Sequence, residues 1–440
     1  MKQAAWLIGT AMVATLMGPR KMARRVLPTR AALLVAGVVL LSACGDDVPT
    51  LVFDPATEPT FSVTSTSTEP PEAGSSSTAV AGTGSAQFVV DETWVDATSN
   101  LSGIESYCGN VSFVSARPDR DQVIASVVGQ GLFSNEPGSD EWVPFGRQPG
   151  SAPVDHRTSG VVYDPANPET FWESGYFGLG PPPEARASSV NRTDDGGLTF
   201  VAVGNELEAD LVSVDLSDPE RQTLLIGLRG GGRSDRVLRS TDGGSTWSDI
   251  SDGLPADLGE ASFPHVVDAR TYLLGTHEGD RGSSANPGIF LTTDAGATWT
   301  KVFEEGVSGP PLVSMDGLLY WLLDEGGVIS SSDAGASWTV VARDIPLGAG
   351  GVLDARRNRI VEMSDGTWLA LDVDSMVMSS DRGVSWSRIG PPLPVENPAG
   401  FTYSEIRGAL YLWWNYCDFE AGENPVSDNS IHRLDLEFTP

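Results

Sequence analysis

The sequence predicts an all-β protein built from repeated four-stranded units, and three observations support this prediction. One eight-residue pattern, S/T-x-D-x-G-x-S/T-W/F, occurs five times, with intervals of 47, 52, 39 and 48 residues between its aspartates. Short runs of β-branched and aromatic residues bounded by turn residues precede each copy. Degenerate units of the same kind flank the five copies on both sides. A period of about 40 to 50 residues is typical of a repeat architecture.

The five copies, called the repeat turns below, are explained by local structure. Asp hydrogen-bonds nearby backbone N–H groups, Gly supplies the positive φ of a hairpin turn, and the final ring packs against the neighbouring repeat. The repeat turns are Thr193–Phe200, Ser240–Trp247, Thr292–Trp299, Ser331–Trp338 and Ser379–Trp386. Their predicted structural residues are Asp195, Gly197, Asp242, Gly244, Trp247, Asp294, Gly296, Trp299, Asp333, Gly335, Trp338, Asp381, Gly383 and Trp386.

The strand-like runs in each unit predict a β-propeller, since four short antiparallel strands per repeat are typical of its blades. Residues 111–146 form a first blade that lacks a repeat turn, and five blades with repeat turns follow. The chain after residue 400 offers only three strands: Phe401–Ser404, Ala409–Trp413 and Ser430–Leu436. We expect the segment Thr93–Asp96 to supply the fourth strand and close the ring. Residues 85–440 are therefore predicted to form a seven-bladed propeller, with six blades as the alternative.

The repeat turns closely resemble the Asp-box, or BNR, repeat of sialidases, sortilin-type receptor domains, xyloglucanases and photosystem II assembly factors. The resemblance covers five repeats between about residues 158 and 390. It implies a β-propeller in which the Asp box joins the third and fourth strands of a blade. It also implies that the ligand binds on the opposite face.

The N-terminal region has the features of an export signal followed by a tether. Arginines precede the apolar run Ala31–Leu41, and Leu41-Ser42-Ala43-Cys44 resembles a bacterial lipobox. The resemblance implies removal of residues 1–43 and lipidation of Cys44; an ordinary secretory signal or an anchor helix is the alternative. Residues 44–84 are rich in Ser, Thr and Pro, which predicts a disordered tether. Translation can start at Met1 or Met22.

The charge of the chain excludes one class of partner and permits others. The chain has 28 basic and 59 acidic residues, and residues 1–43 contain six of the basic ones and none of the acidic ones. Such a surface repels nucleic acid and anionic headgroups.

We expect a monomeric propeller of the bacterial cell envelope, on the periplasmic side or at the surface, held at the membrane by its lipid.

Two cysteines remain once Cys44 carries lipid. Cys108 precedes the first strand of the first blade, and Cys417 lies in the predicted 2–3 loop of the last blade. On a closed ring these positions are neighbours on one face, so an exported chain favours a disulfide between them, with two free thiols as the alternative.

The loops between second and third strands are the predicted ligand site, because they lie opposite the repeat turns. They are unusually long in blades 2, 4 and 7, and blade 3 adds the segment Arg229–Arg236. Together they mix aromatic rings with arginines and carboxylates, which suits a carbohydrate or peptide. The candidate ligand-binding residues are Glu173, Tyr176, Arg229, Arg233, His277, Glu278, Arg281, Trp414 and Tyr416. Trp413 is assigned either to this site or to the core.

These loops predict a binding or assembly module for a glycan or an envelope protein, with an exo-acting, sialidase-type glycoside hydrolase as the alternative. The sialidase resemblance implies an arginine triad, a Tyr nucleophile paired with Glu, and an acid/base Asp. Candidate residues are Arg229, Arg233, Arg281, Glu173, Glu278, Asp280 and Glu325. The Arg-Ile-Pro motif of sialidases is absent, and Ala116-Arg117-Pro118 is the nearest string. The prediction therefore leans away from an enzyme, and no catalytic residue is assigned.

No cofactor or metal is predicted. The four histidines His156, His265, His277 and His432 have no metal-ligand spacing, and Asp372-Val373-Asp374 lacks the rest of a calcium loop.

Overall fold

Seven antiparallel sheets follow one another along the chain in the computed structural model and form a seven-bladed β-propeller. The structure describes residues 88–106, 111–139, 141–176, 188–229, 235–256, 258, 263–277, 286–343, 360–417 and 427–438. In this part of the chain, six sheets have four strands and one has five. The predicted all-β class and the count of seven blades are thus confirmed, and the six-bladed alternative is wrong.

The chain enters through two short strands and then builds the first three blades. The entering strands are β1 (Phe88–Val90) and β2 (Val95–Asp96), followed by a 3-10 turn at Ser99–Leu101. Blade 1 contains β3 (Val111–Ala116), β4 (Val123–Val127), β5 (Gly131–Asn135) and β6 (Trp142–Phe145). Blade 2 contains β7 (Arg157–Tyr163), β8 (Phe171–Tyr176), β9 (Val190–Thr193) and β10 (Val201–Ala202). Blade 3 contains β11 (Ala209–Val214), β12 (Leu224–Leu228), β13 (Val237–Ser240) and β14 (Ser248–Asp249).

Blades 4 to 6 repeat this order. Blade 4 contains β15 (Phe263–Val266), β16 (Tyr272–Thr276), β17 (Gly288–Thr292) and β18 (Thr300–Phe303). Blade 5 contains β19 (Val307–Val313), β20 (Leu319–Leu323), β21 (Val328–Ser331) and β22 (Thr339–Ala342). Blade 6 contains β23 (Val361–Glu362), β24 (Trp368–Leu371), β25 (Met376–Ser379) and β26 (Ser387–Ile389). The first strand of each blade is innermost, and β3, β7, β11, β15 and β19 contact one another in turn around a central channel.

Blade 7 joins the two ends of the propeller. Its strands β27 (Gly400–Ser404), β28 (Ala409–Cys417) and β29 (Ser427–Phe438) are completed by both entering strands. Val95 pairs with Arg433 and Asp96 with His432, which confirms the predicted closing strand. In addition, β1 pairs with residues 436–438 of β29, so closure uses two N-terminal segments rather than one.

The apolar core lies between the blades. The described residues form seven hydrophobic clusters, and each is built mainly from two neighbouring blades. The second strand of a blade is therefore buried on both faces, as in Leu224–Leu228 and Leu319–Leu323, where all five residues are buried. This explains why these strands are continuous apolar runs rather than alternating ones.

Each repeat turn joins the third and fourth strands of its blade, as the sequence predicts. In blade 4, Thr292 Oγ1 donates to Asp294 Oδ1 at 2.8 Å and accepts from the Gly296 N–H at 2.9 Å. Asp294 also accepts from the Thr298 N–H at 2.8 Å and from its hydroxyl at 2.7 Å. The same four bonds recur in the other repeat turns. Every role observed for these residues is structural.

The repeat turns also pack onto the preceding blade. Gly296 has a φ of +89°, and a Cβ there would lie 2.7 Å from the Cβ of Ile250 in blade 3. The Trp299 ring donates its Nε1–H to the carbonyl of Ile250 at 2.8 Å. In blade 2, the aromatic position is Phe200, which is fully buried and packs edge-to-face on Phe145 of blade 1.

Two predicted loops are partly strand. Strand β8 continues to Tyr176, so Glu173 lies within a buried strand instead of a loop. Strand β28 continues to Cys417, and Trp413 is a core residue with 1% exposure. Both strands extend because long-range partners pair with them, which a local reading of Gly-, Asn- and Trp-rich segments does not reveal.

Candidate functional site

The two faces of the propeller differ in the loops they carry. The loops between second and third strands and the blade-to-blade connections lie at one end of the strands, here called the upper face. The repeat turns and the loops between first and second strands lie at the other end, the lower face. The predicted ligand residues belong to the upper face, opposite the repeat turns.

Arginines on the lower face join neighbouring blades. Arg117 is 1% exposed, donates to the carbonyls of Gly196 and Pro168 in blade 2 at 2.9 and 3.0 Å, and pairs with Asp119 at 2.9 Å. Arg117 is thus a scaffold residue. Similar contacts are made by Arg221 with Asp164, Arg239 with the carbonyl of Ala295, and Arg407 with Asp121.

Glu173 occupies a closed polar network between blades 1 and 2. Its side chain has no exposure, and its Oε1 lies 2.7 Å from His156 Nε2 and accepts from the Thr158 hydroxyl at 2.6 Å. Its Oε2 accepts from Asn191 Nδ2 at 3.2 Å. Thr158 also bonds Ser126 of blade 1 at 2.8 Å. The three partners of Glu173 all belong to blade 2, and only the bond between Thr158 and Ser126 links this network to blade 1; a carboxylate enclosed in this way does not present itself to a ligand.

A half-exposed cluster of charged and aromatic groups lies on the upper face where blades 2 and 3 meet, and we call it the rim cluster. It consists of Arg157, Tyr176, Glu208, Asp210 and Arg229. The Arg229 guanidinium lies 4.1 Å from the centroid of the Tyr176 ring, and the Arg157 guanidinium lies 5.9 Å from it. Asp210 is buried, lies 3.7 Å from Arg229 and accepts from the Ser159 hydroxyl at 2.5 Å. Burial raises the pKa of the Glu208 carboxyl.

The two buried carboxylates near the upper face do not share a site. Glu173 faces blade 1, whereas the next residue, Ser174, faces blade 3 and bonds Asp210 O and Val212 N at 3.2 and 3.0 Å. Asp210 therefore lies on the opposite face of the blade 2 sheet from Glu173. Most glycosidases need two carboxyl groups flanking one bond, whereas the sialidase type uses a Tyr nucleophile in place of one of them. Glu173 and Asp210 cannot provide such a pair.

Trp414 lines a separate surface cavity on blade 7. The cavity has a volume of about 320 Å³ and is bounded by Val395, Glu396, Trp414, Asn429, Ser430 and His432. Burial lowers the pKa of His432, and the nearby Asp96 carboxylate opposes this shift. Blade 1 stands between this cavity and blade 2, so Trp414 and the rim cluster are separate candidate sites.

The remaining candidates are placed as follows. His277 follows β16 directly, is 8% exposed and packs on the Phe263 ring at 6.0 Å. Arg233, Glu278, Asp280 and Arg281 lie outside the described residues, as do Cys44 and Cys108. For Tyr416 and Cys417 the structure describes the backbone, in which Cys417 pairs with Ser427. Among the described residues no group of three or more His, Cys, Asp or Glu is placed to hold a metal ion.

Sequence reasoning missed Arg157, Glu208 and Asp210, which complete the rim cluster. All three lie at or just before the start of the innermost strand of a blade, where the chain arrives on the upper face. A search of first-strand starts, as well as of the 2–3 loops, would have found them.

No family model matches this sequence, and no curated protein matches it. Among solved structures, it is similar to the Niastella koreensis GH74 enzyme, with 15% identity over 74% of this chain and 55% of that chain and a TM-score of 0.48. The GH74 xyloglucanase from Xanthomonas campestris gives 17% identity, 79% and 55% coverage and a TM-score of 0.45. YCF48 bound to D1 peptide gives 15% identity, 80% and 98% coverage and a TM-score of 0.45. The chain thus spans about half of the GH74 enzymes and nearly all of YCF48, and at these identities nothing follows about ligand or reaction.

Among the described residues, no helix is long and apolar enough to cross a membrane.

Proposed function

We propose that this chain is a lipid-anchored protein of the bacterial cell envelope whose propeller binds a carbohydrate or protein ligand on its upper face without converting it. The rim cluster is the observation that carries the proposal. Two arginines flank one tyrosine ring there, at 4.1 and 5.9 Å. Guanidinium groups stacked on aromatic rings recognise carboxylate or phosphate groups well because their geometry is fixed in advance.

The charges of the protein and of the rim cluster narrow the chemical class of the proposed ligand. The formal net charge is −31, so most of the surface repels anions, whereas in the rim cluster two arginines balance the carboxyl groups of Glu208 and Asp210. Because Arg229 already covers a face of the Tyr176 ring, an anionic group suits this site better than a neutral sugar that would stack on the ring. We therefore infer an acidic glycan or an acidic peptide segment as the ligand.

The positions of Glu173 and Asp210 argue against hydrolysis by a pair of carboxyl groups. Glu173 is enclosed by His156, Thr158 and Asn191, and Asp210 lies across the blade 2 sheet from it. The sialidase-type alternative would need its arginine triad from Arg229 together with Arg233 and Arg281, which lie outside the described residues.

A capture experiment on the rim cluster tests the proposal. The immobilised protein is exposed to extracts of the native envelope, and retained proteins and glycans are identified. We expect Arg229→Ala and Tyr176→Ala to lose the ligand, because each removes one half of the stacked pair. Arg388→Ala, an exposed arginine on blade 6 with 64% side-chain exposure, removes the same charge elsewhere and should retain the ligand.

Two results would overturn this function. A ligand retained equally by all three variants would place binding elsewhere, with the Trp414 cavity as the next candidate. Release of sugar from a fluorogenic sialoside or from the captured glycan by the purified protein would replace binding with hydrolysis.

The anchoring half of the proposal has its own test. Cys44→Ala should abolish incorporation of a labelled fatty acid and shift the protein from the membrane fraction to the soluble fraction. Membrane retention of this variant without label would instead support an uncleaved anchor helix.

A further inference from the structure

The central channel contains an apolar cavity of about 230 Å³ that the proposed upper-face site does not use. The innermost strands of blades 1 to 5 supply its wall, including Phe113, Val161, Leu211, Pro264 and Pro310. An apolar cavity of about 150 Å³ is already large enough to bind benzene. This cavity can therefore hold a molecule of one or two rings.

Three prolines reduce the number of backbone donors in the wall of the cavity. An innermost strand has a free edge, so its unpaired N–H groups point towards the channel and would normally attract water. Pro264, Pro310 and Pro311 line the cavity and have no N–H. In β19 the two prolines lie where the register of the strand shifts, between Ser308 and Leu312. Both features make the wall suited to an apolar occupant rather than to bound water.

His265 adds a hydrogen-bonding group to this wall. It lies in β15 and lines the cavity, and no group in the described part of the chain hydrogen-bonds its imidazole. Burial lowers the pKa of His265 to about 4, so the ring is neutral at pH 7. A neutral imidazole offers one donor and one acceptor. The other polar side chains of the wall are already engaged: Ser213 accepts from the Val266 N–H at 2.9 Å, and Ser159 donates to Asp210 at 2.5 Å.

The lower face provides the entrance. A second cavity, of about 340 Å³, shares Val161 and Val313 with the first and is lined by Tyr163, Leu312 and Ile360 among others. Val313 is 56% exposed and Leu216 is 38% exposed, so apolar side chains reach the solvent at this end. A ligand can thus approach along an apolar path.

We propose that the central channel binds a small uncharged molecule that has an apolar, ring-sized body and one hydroxyl or carbonyl group, and that His265 hydrogen-bonds this group. A charged ligand is excluded because the wall offers it no counter-ion. The site is distinct from the rim cluster on the upper face, to which the wall is joined by the hydrogen bond from Ser159 to Asp210.

The test compares two probes that differ by one hydroxyl group. The full-length protein is titrated with 2-naphthol and with naphthalene, and binding is followed by probe fluorescence. We expect both to bind. His265→Phe should weaken 2-naphthol about fivefold, the size of one neutral hydrogen bond, and leave naphthalene unchanged.

A second variant locates the site without altering the buried wall. Val313→Trp places a large ring at the half-exposed entrance and should weaken both probes at least tenfold, while circular dichroism confirms the fold. Arg229→Ala should bind both probes like the wild type, which separates this site from the upper-face function. Failure of the wild type to bind either probe would overturn the proposal. So would equal loss of both probes in His265→Phe, or unchanged binding in Val313→Trp.

Discussion

Replacing Glu173 tests whether this buried carboxylate supports the scaffold or binds the ligand. Glu173→Ala removes the acceptor used by His156, Thr158 and Asn191, at 2.7, 2.6 and 3.2 Å, and leaves these donors in a closed space. Each buried donor left without its acceptor costs about 1–3 kcal/mol because it stays desolvated, and Glu173→Ala should cost more than one such increment since it affects three partners. Glu173→Gln keeps the volume and one carbonyl oxygen, so its cost should be nearer to 1–3 kcal/mol.

Urea denaturation followed by tryptophan fluorescence measures both effects as shifts of the midpoint. Glu220→Ala, at an exposed position on the lower face, is the matched control and should lie within about 0.5 kcal/mol of the wild type. The order of stability should be wild type, Glu173→Gln, Glu173→Ala. A Glu173→Ala protein as stable as the wild type but unable to retain the ligand would refute the structural role and make Glu173 a binding residue.

Three further predictions concern the turns and the junction of the ring. Gly296→Ala should lower the free energy of unfolding by about 1–3 kcal/mol more than Gly317→Ala in urea denaturation. The two glycines have similar positive φ values, +89° and +80°, but only at Gly296 would a Cβ lie 2.7 Å from Ile250. Equal destabilisation by the two substitutions would mean that the positive φ alone, and not the contact with Ile250, sets the cost. Hydrogen bonds from the Thr298 side chain and backbone lower the pKa of Asp294 to about 2 from 3.8, so its stabilisation is present above pH 4 and is lost as the pH falls through 2. The stability difference between the wild type and Asp294→Asn should shrink over that window, and a difference independent of pH would contradict this. The predicted disulfide between Cys108 and Cys417 should appear as a mobility shift on reduction and contribute about 2–4 kcal/mol; two titratable thiols in the unreduced protein would exclude it.

The disulfide stays a prediction, and one hydrogen bond between described residues crosses the same junction. Asn415, two residues before Cys417, donates to the carbonyl of Val111 at 2.9 Å. Val111 starts blade 1 three residues after Cys108. The ends of the two cysteine-bearing segments therefore meet across the junction of blades 7 and 1, although Cys108 itself lies outside the described residues.

The fold was predictable because its determinants are local and repeated. Each repeat turn carries its own hydrogen bonds, so five copies give the period and the blade boundaries without knowledge of distant contacts. The closing strand was predictable from Thr93-Trp94-Val95-Asp96 because it echoes the outer strand Thr246-Trp247-Ser248-Asp249. The additional strand β1 was not, since it pairs only with the far end of β29.

The site was less predictable because its residues come from different blades. Glu173 looks like the start of a loop in the sequence, but in the fold His156, Thr158 and Asn191 enclose it. Likewise, Pro310 and Pro311 argue against a strand when read locally. The structure allows them in β19 because an innermost strand has one edge without a partner, and that edge faces the channel.

The double closure of blade 7 has a consequence for how the protein is made. Strand β29 holds both β1 and β2, and Thr98 near the start of the ring donates from its hydroxyl to the carbonyl of Ile431. Residues 427–438 are the last of the ring to be synthesised, so the N-terminal strands wait unpaired until the rest of the propeller has emerged. Until then, the incomplete protein exposes unpaired strand edges. A nascent chain released before β29 is complete therefore cannot close the ring. Formation of β29 is thus the step that separates a closed propeller from an open, aggregation-prone chain.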